Sequence, residues 1–352
     1  MSARNKKIRV VFRIFLVLLW IGVAFFSAEF YLHYQHDEWL ENSKVLQETK
    51  RKNAFFTEAY HNNLWAKKWW EYKKNMVLFF EKDGINFQIR TNAQGFRDDD
   101  VREKKANELR IVCVGGSTTV EGQTNATTYP NLVEKRLQKH RVDVINCGIS
   151  GLLSSGEYQK LPVYLSLKPD ILMEYNGVND ICRVLVRNWE KDYSSLAKWL
   201  HGSLVLKMIF QPSLMPSQKK IDEDIDKVMI TNLKKIWQQA KAHNVKMVFC
   251  SLAYPDLQKS STEEIAYLNY NLNAFWRAKY LSIHDYCRVV ENYNEQLEKF
   301  CNKNNILFIP VAKNLRGSTN YFVDICHLTP EGIEQKSKII AKHLIEYIEQ
   351  KK

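Results

Sequence analysis

Ser117 follows Gly115-Gly116 at the end of an apolar run, LRIVCVGG, that begins at Leu109. A serine at a turn from strand to helix points its hydroxyl into a cleft, beside the free N–H groups and positive dipole end of the helix. Taken alone, Gly-Gly-Ser fits a phosphate cradle or a plain turn equally well. Asp324 and His327 stand three residues apart in DICHLTP. That spacing lets them share one side of a tight turn. The carboxylate can then hold the imidazole in the tautomer that accepts a proton from a serine. Two further blocks close apolar runs: NCGISG at 146–151 and NGVND at 176–180. Glycine there lets a backbone N–H approach a ligand closely, and Asn179 offers a carboxamide donor.

These residues need a scaffold that gathers them at one edge. Short apolar runs lie at 109–116, 142–151, 170–180, 245–255 and 306–312, separated mostly by helix-compatible stretches. Such alternation predicts a parallel sheet covered on both faces. Ligands bind beyond the carboxyl ends of its strands, where the polar blocks fall. Residues 84–98, GINFQIRTNAQGFRD, alternate apolar and polar and predict a strand or hairpin leading in. Two connections are long. Residues 181–230 hold KWLHGSLVLKMIF, and 256–300 hold IAYLNYNLNAFWRAKY. Each reads as a packing insertion, with a lid, substrate wall or membrane-facing patch as alternatives.

In order, over about 109–345, the four polar blocks resemble the SGNH hydrolase superfamily, also called the GDSL esterases and lipases. The resemblance implies a flavodoxin-like three-layer α/β/α fold with a five-stranded parallel sheet and neither cofactor nor metal. It implies Ser117 as nucleophile, His327 as general base and Asp324 as its orienting carboxylate. Gly151, Asn179 and the Ser117 backbone N–H match the oxyanion donors. One departure is Gly116, where many members carry Asp. The G-x-S-x-G elbow of α/β-hydrolases is absent around Ser117. The resemblance implies a serine esterase. An acyltransferase, a lipase or lysophospholipase, and a non-catalytic carbohydrate-binding or assembly protein are the alternatives.

The chain carries 51 Lys+Arg against 39 Asp+Glu, a net charge of +12, with 45% hydrophobic residues and only 13 Gly and 8 Pro in 352. This composition excludes disordered and collagen-like classes. Residues 1–34 hold Arg4, Lys6, Lys7, Arg9 and Arg13 against Glu29, a net +4, leaving +8 on the remainder. The cations precede an uncharged run, Ile14–Ala28. Fifteen helical residues reach roughly 22 Å, short of a ~30 Å hydrocarbon core unless neighbouring residues extend the span. The pattern predicts a signal anchor with a cytoplasmic N-terminus; a cleaved signal peptide or a core helix are the alternatives. It places the catalytic part outside the cytoplasm.

The predicted organisation is an anchor over 1–34, a stalk and lead-in over 35–108, and the catalytic domain over 109–352. The stalk interleaves Trp39, Trp65, Trp69 and Trp70 with Lys67, Lys68, Lys73 and Lys74. It reads as a helix packing its Trp side chains or as a membrane-surface segment. No zinc-finger, recognition-helix or RNP-type motif accompanies the charge, so the expected partners are a membrane and an acylated carbohydrate or lipid substrate, not nucleic acid. Seven cysteines fit no metal spacing. They read as mostly independent thiols, with a Cys182–Cys326 bridge as the alternative. Arg97 reads as surface or salt-bridged, with a contact to an anionic substrate as the alternative, Asp180 as a brace, and Ser150 and Ser154 as loop hydroxyls.

Overall fold

The computed structural model describes residues 3–52, 64–66, 71–82, 84–210 and 214–350. Trp69, Trp70, Lys67 and Lys68 lie outside the described residues. The chain forms two compact units, one of residues 47–191 and 216–352, the other of residues 1–46 and 192–215.

The larger unit is built on strands β3 (Leu109–Gly115), β4 (Val142–Asn146), β5 (Ile171–Tyr175), β6 (Lys246–Cys250) and β7 (Leu307–Ile309). All pair in parallel, in the spatial order β4-β3-β5-β6-β7. Every residue of β4 and β5 is buried. That matches a sheet covered on both faces, although β4 buries Asp143 and Asn146 and β5 buries Glu174 among their apolar residues. Right-handed crossovers fix which helix covers which face. α3 (Tyr129–Leu137) leads toward β4 and packs with α10 (Pro330–Glu349). α4 (Ser154–Ser166) leads back across β3 and packs with α7 (Thr231–Ala242). The result is the three-layer flavodoxin-like arrangement, whose connections reverse direction at β3 and β5. A four-residue helix, α2 (Ser117–Val120), follows β3 at this reversal.

Charge gathers at the opposite sheet edge. Arg110 Nε bonds Asp143 Oδ2 at 2.6 Å, and its Nη1 donates to Leu167 O at 2.8 Å. The insertion after residue 256 folds as α8 (Thr262–Ala274) and α9 (Ile283–Lys303).

The lead-in is a hairpin of β1 (Val77–Lys82) and β2 (Ile85–Arg90), registering Val77 with Arg90. Alternation buries Phe87 and Ile89 and exposes Asn86, Gln88 and Arg90. Gln88 N donates to Gln123 O at 3.1 Å, docking the hairpin on the loop beyond α2.

In the smaller unit, α1 runs unbroken from Ala3 to Asn42, past the predicted boundary at 34. Its Lys7–Asn42 portion is long and apolar enough to cross a membrane, with mean hydropathy 2.4 in its most apolar window. α5 (Ser195–Gly202) and α6 (Leu204–Phe210) come from the middle of the predicted 181–230 insertion. α6 packs against α1, and α5 against α6. All seven cysteines are buried free thiols, so no Cys182–Cys326 bridge forms.

Candidate active site

Ser117 opens α2 at the carboxyl end of β3. His327 and Asp324 stand on the loop before α10. That loop is stopped by Thr329, whose side chain accepts from Gly332 N at 3.1 Å, and by Pro330 in the first turn. Asp324 Oδ1 accepts from Cys326 N at 2.8 Å and His327 N at 2.7 Å, folding the carboxylate back over its own loop. Its other oxygen, Oδ2, then meets His327 Nδ1 at 2.6 Å. His327 Nε2 lies 2.8 Å from Ser117 Oγ. Chain segments 210 residues apart thus form one hydrogen-bonded line.

The charges set the tautomer. Asp324 accepts a hydrogen bond from Nδ1–H, leaving Nε2 as the acceptor for the serine hydroxyl. Burial pushes the imidazole down, but the Asp324 charge and hydrogen bond, helped by Glu121, hold its pKa above the ordinary histidine value. Burial pushes Asp324 up, but His327 and the two backbone N–H groups hold it below the ordinary carboxylate value.

The two other blocks meet nearby. Gly151 has φ +74°, a left-handed conformation that glycine adopts without strain. The next residue, Leu152, accepts through its carbonyl from Asn176 Nδ2 at 3.0 Å and Asn179 Nδ2 at 3.2 Å. The NGVND block is thereby tied to the Gly151 loop. Asn179 Nδ2 also abuts Gly116: a Cβ there would lie 2.8 Å from it. One Nδ2 hydrogen serves Leu152, and a carboxamide has a second to donate.

Residues 113–334 match the GDSL-like lipase/acylhydrolase family. The chain belongs to that family. It is an ester hydrolase. No curated protein matches it. Among solved structures, a GDSL-like lipase from Bacteroides thetaiotaomicron is 15% identical, with 70% of this chain and 93% of that one covered, at TM-score 0.42. The psychrotrophic esterase EstA from Pseudoalteromonas sp. is 12% identical, with 69% and 100% covered, at TM-score 0.44. LAE5, an α/β hydrolase from the metagenome of Lake Arreo, Spain, is 14% identical, with 69% and 96% covered, at TM-score 0.40.

Several residues bracing the site of this GDSL-like hydrolase escape sequence reasoning. Glu121, just after α2, pairs with Lys336 of α10 at 2.6 Å, and its other oxygen accepts from Leu328 N at 2.9 Å. Trp276 stacks on the His327 ring, with centroids 5.8 Å apart and planes 24° apart. The aromatic stretch in 256–300 was a signal for such a wall, but not for its target. Arg97 is not a surface residue. It is buried and donates to Val120 O at 2.5 Å and Gly122 O at 2.8 Å, holding the loop beyond α2. Asp180 accepts from Ser154 N at 3.0 Å and Ser154 Oγ at 2.7 Å, a brace between blocks two and three. Ser150 donates its N–H to Tyr72 Oη at 2.7 Å.

Asp324, Cys326 and His327 bring potential metal-ligating atoms within 4.8 Å of one another. The donor set suits a proton relay better. His327 Nδ1 and Asp324 Oδ2 already bond each other, and Nε2 faces Ser117. Burial holds the Cys326 thiol well above its ordinary value, hence protonated.

Proposed function

We propose that this GDSL-like hydrolase is a membrane-anchored serine esterase. Ser117 is its nucleophile, His327 its general base and Asp324 the orienting carboxylate. The observation that carries the reading is the unbroken line from Ser117 Oγ through His327 to Asp324.

Serine at its free pKa is a poor nucleophile and needs an adjacent base. As Oγ attacks the ester carbonyl carbon, its proton passes to His327 Nε2. The carbonyl electron pair moves to oxygen. The N–H groups of Ser117 and Gly151 and the Asn179 carboxamide stabilise that oxyanion, each donor contributing about 3–4 kcal/mol. Collapse expels the alcohol, which takes the proton from Nε2. Water then repeats the sequence, and the acid is released from Ser117.

The finer reading is a short acyl ester, O-acetyl on an envelope or secreted carbohydrate. Ser117 is 3% and His327 4% exposed, an enclosure that favours a small acyl group. The cations ahead of the apolar run favour an extracytoplasmic catalytic unit. The same enclosure supports a second reading, acyl transfer to a sugar hydroxyl, because a dry site slows hydrolysis of the acyl-serine.

The test uses the full chain in detergent micelles. A fluorophosphonate probe should label it, and p-nitrophenyl acetate should be cleaved faster than long-chain esters. Ser117→Ala should lose both activities. Labelling and turnover equal to wild type would refute the nucleophile. Mass spectrometry with an acetylated oligosaccharide donor and a free oligosaccharide acceptor separates transfer from hydrolysis.

A further inference from the structure

Glu29 is the one acidic residue among residues 3–34, directly after the uncharged run Ile14–Ala28. A carboxylate at that place is costly for a helix entering a bilayer. Here it is satisfied from within the same unit. Leu204 N donates to Oε1 at 2.7 Å, Val205 N to Oε2 at 3.1 Å, and Ser203 Oγ to Oε2 at 2.9 Å. His33 Nε2 lies 3.3 Å from Oε1. The first N–H groups of a helix have no intrahelical acceptor, so Glu29 and the start of α6 solve each other's problem. Along α1, Gly22, Phe25, Glu29 and Leu32 are half-buried at spacings of three and four, which makes one helix face. α6 is LVLKMIF and packs on α1.

α5, SLAKWLHG, packs on α6 and leaves Leu196 65% and Trp199 59% exposed. They stand three residues apart, on one face. Water is a poor solvent for such a pair, whereas Trp favours the membrane interface. Lys198, beside Trp199 on the same helix, offers a cation for lipid phosphates.

We propose that α5 and α6 lie in the bilayer interface beside the anchor, clamped there by Glu29, with Leu196 and Trp199 entering the lipid. The occupant is a bilayer containing anionic headgroups, because the exposed face belongs to the unit whose central helix is the apolar span. The proposal rests on the anchor reading of α1 and adds a second contact with the membrane. It gives the 192–215 excursion a purpose: the chain of the catalytic unit leaves at Lys191, docks on the anchor and returns at Pro216.

The test uses the full chain in vesicles of phosphatidylcholine and phosphatidylglycerol. All native cysteines are buried, so introduced surface cysteines take up a polarity-sensitive dye selectively. Leu18→Cys reports the anchor, Leu196→Cys and Trp199→Cys the proposed surface, and Lys342→Cys an exposed position of the catalytic unit. Lipids carrying a quencher should quench the dyes at 18, 196 and 199 several-fold more than at 342. Quenching at 18 with 196 and 199 behaving like 342 overturns the proposal and leaves the anchor standing. No quenching at 18 overturns both. Dyes at 196 and 199 shielded without lipid quenching, in a protein that runs as a dimer, would assign the face to a second copy and overturn the proposal. Glu29→Ala should lower quenching at 196 several-fold and leave 18 unchanged. Unchanged quenching at 196 would overturn the clamp.

Discussion

Lys336 Nζ lies 2.6 Å from Glu121 Oε1, and neither side chain reaches solvent. The ammonium also donates to Thr118 O at 2.7 Å and sits 4.6 Å above the rings of both Tyr129 and Tyr175. Since Glu121 also accepts from Leu328 N, the pair ties the helix that carries Ser117 to the loop carrying His327. Burial pushes the Glu121 carboxyl up and the Lys336 ammonium down. Removing one partner strands the other.

Lys336→Met should therefore cost about 3–5 kcal/mol of stability, the range for breaking a buried pair. Adding Glu121→Gln should recover much of that loss. Urea unfolding of both variants checks this. A Lys336→Met cost under about 1 kcal/mol, the range of exposed pairs, would contradict it.

Gly116→Ala should slow catalysis without unfolding the protein. Gly116 has φ −87°, open to any residue, so only space is at issue. The new Cβ would lie 2.8 Å from Asn179 Nδ2 and 3.0 Å from Asn176 Oδ1. Displacing Asn179 should reduce kcat roughly 10²-fold, the order of losing one oxyanion donor. An unchanged kcat would remove Asn179 from the transition state. Restoring the Asp that many family members carry should be no gentler, because it adds the same Cβ.

The acid limb of the kcat/KM profile should lie above pH ~6.5, the ordinary histidine value. In the proposed mechanism His327 must be neutral to accept the serine proton, and Asp324 holds its pKa up. Asp324→Asn should lower the rate by up to about 10⁴-fold and move the remaining limb to lower pH. A limb that stays in place would show that Asp324 does not govern the imidazole.

Stability should fall as pH rises from about 5 to about 8. Burial raises Asp98 to about 8, and raises Glu157 to about 8 as well. A raised carboxyl holds its proton in the folded state where the unfolded chain has lost it. Its contribution is present below the unfolded value and is lost as pH climbs through the folded one. Asp98 accepts from Asn146 N at 2.6 Å. Asp98→Asn keeps an acceptor and should flatten the slope. Denaturant titrations across that range read the outcome, and a slope equal to wild type would refute the assignment.

The strand runs and the local spacings were legible in the sequence. β4 and β5 are buried along their whole length, and their Val, Ile, Leu and Met residues mark them despite Asp143, Asn146 and Glu174. Asp324 and His327 are three residues apart, and one turn of chain brings them together. The lead-in pattern over 84–98 marked β2 but not β1, since residues 77–82 do not show the same alternation.

What the sequence by itself determined is the parallel sheet, and it marked the proposed chemical groups at that sheet's carboxyl edge. Periodicity and short-range spacing encode both. Only the tertiary structure decided what braces that edge. Lys336 finds Glu121 across 215 residues. Trp276 finds His327 from an insertion that could have packed elsewhere. Such pairs leave no periodic trace. They exist because burying a charge, an orphan N–H or a ring demands a partner, and the packed layers determine which one is in reach.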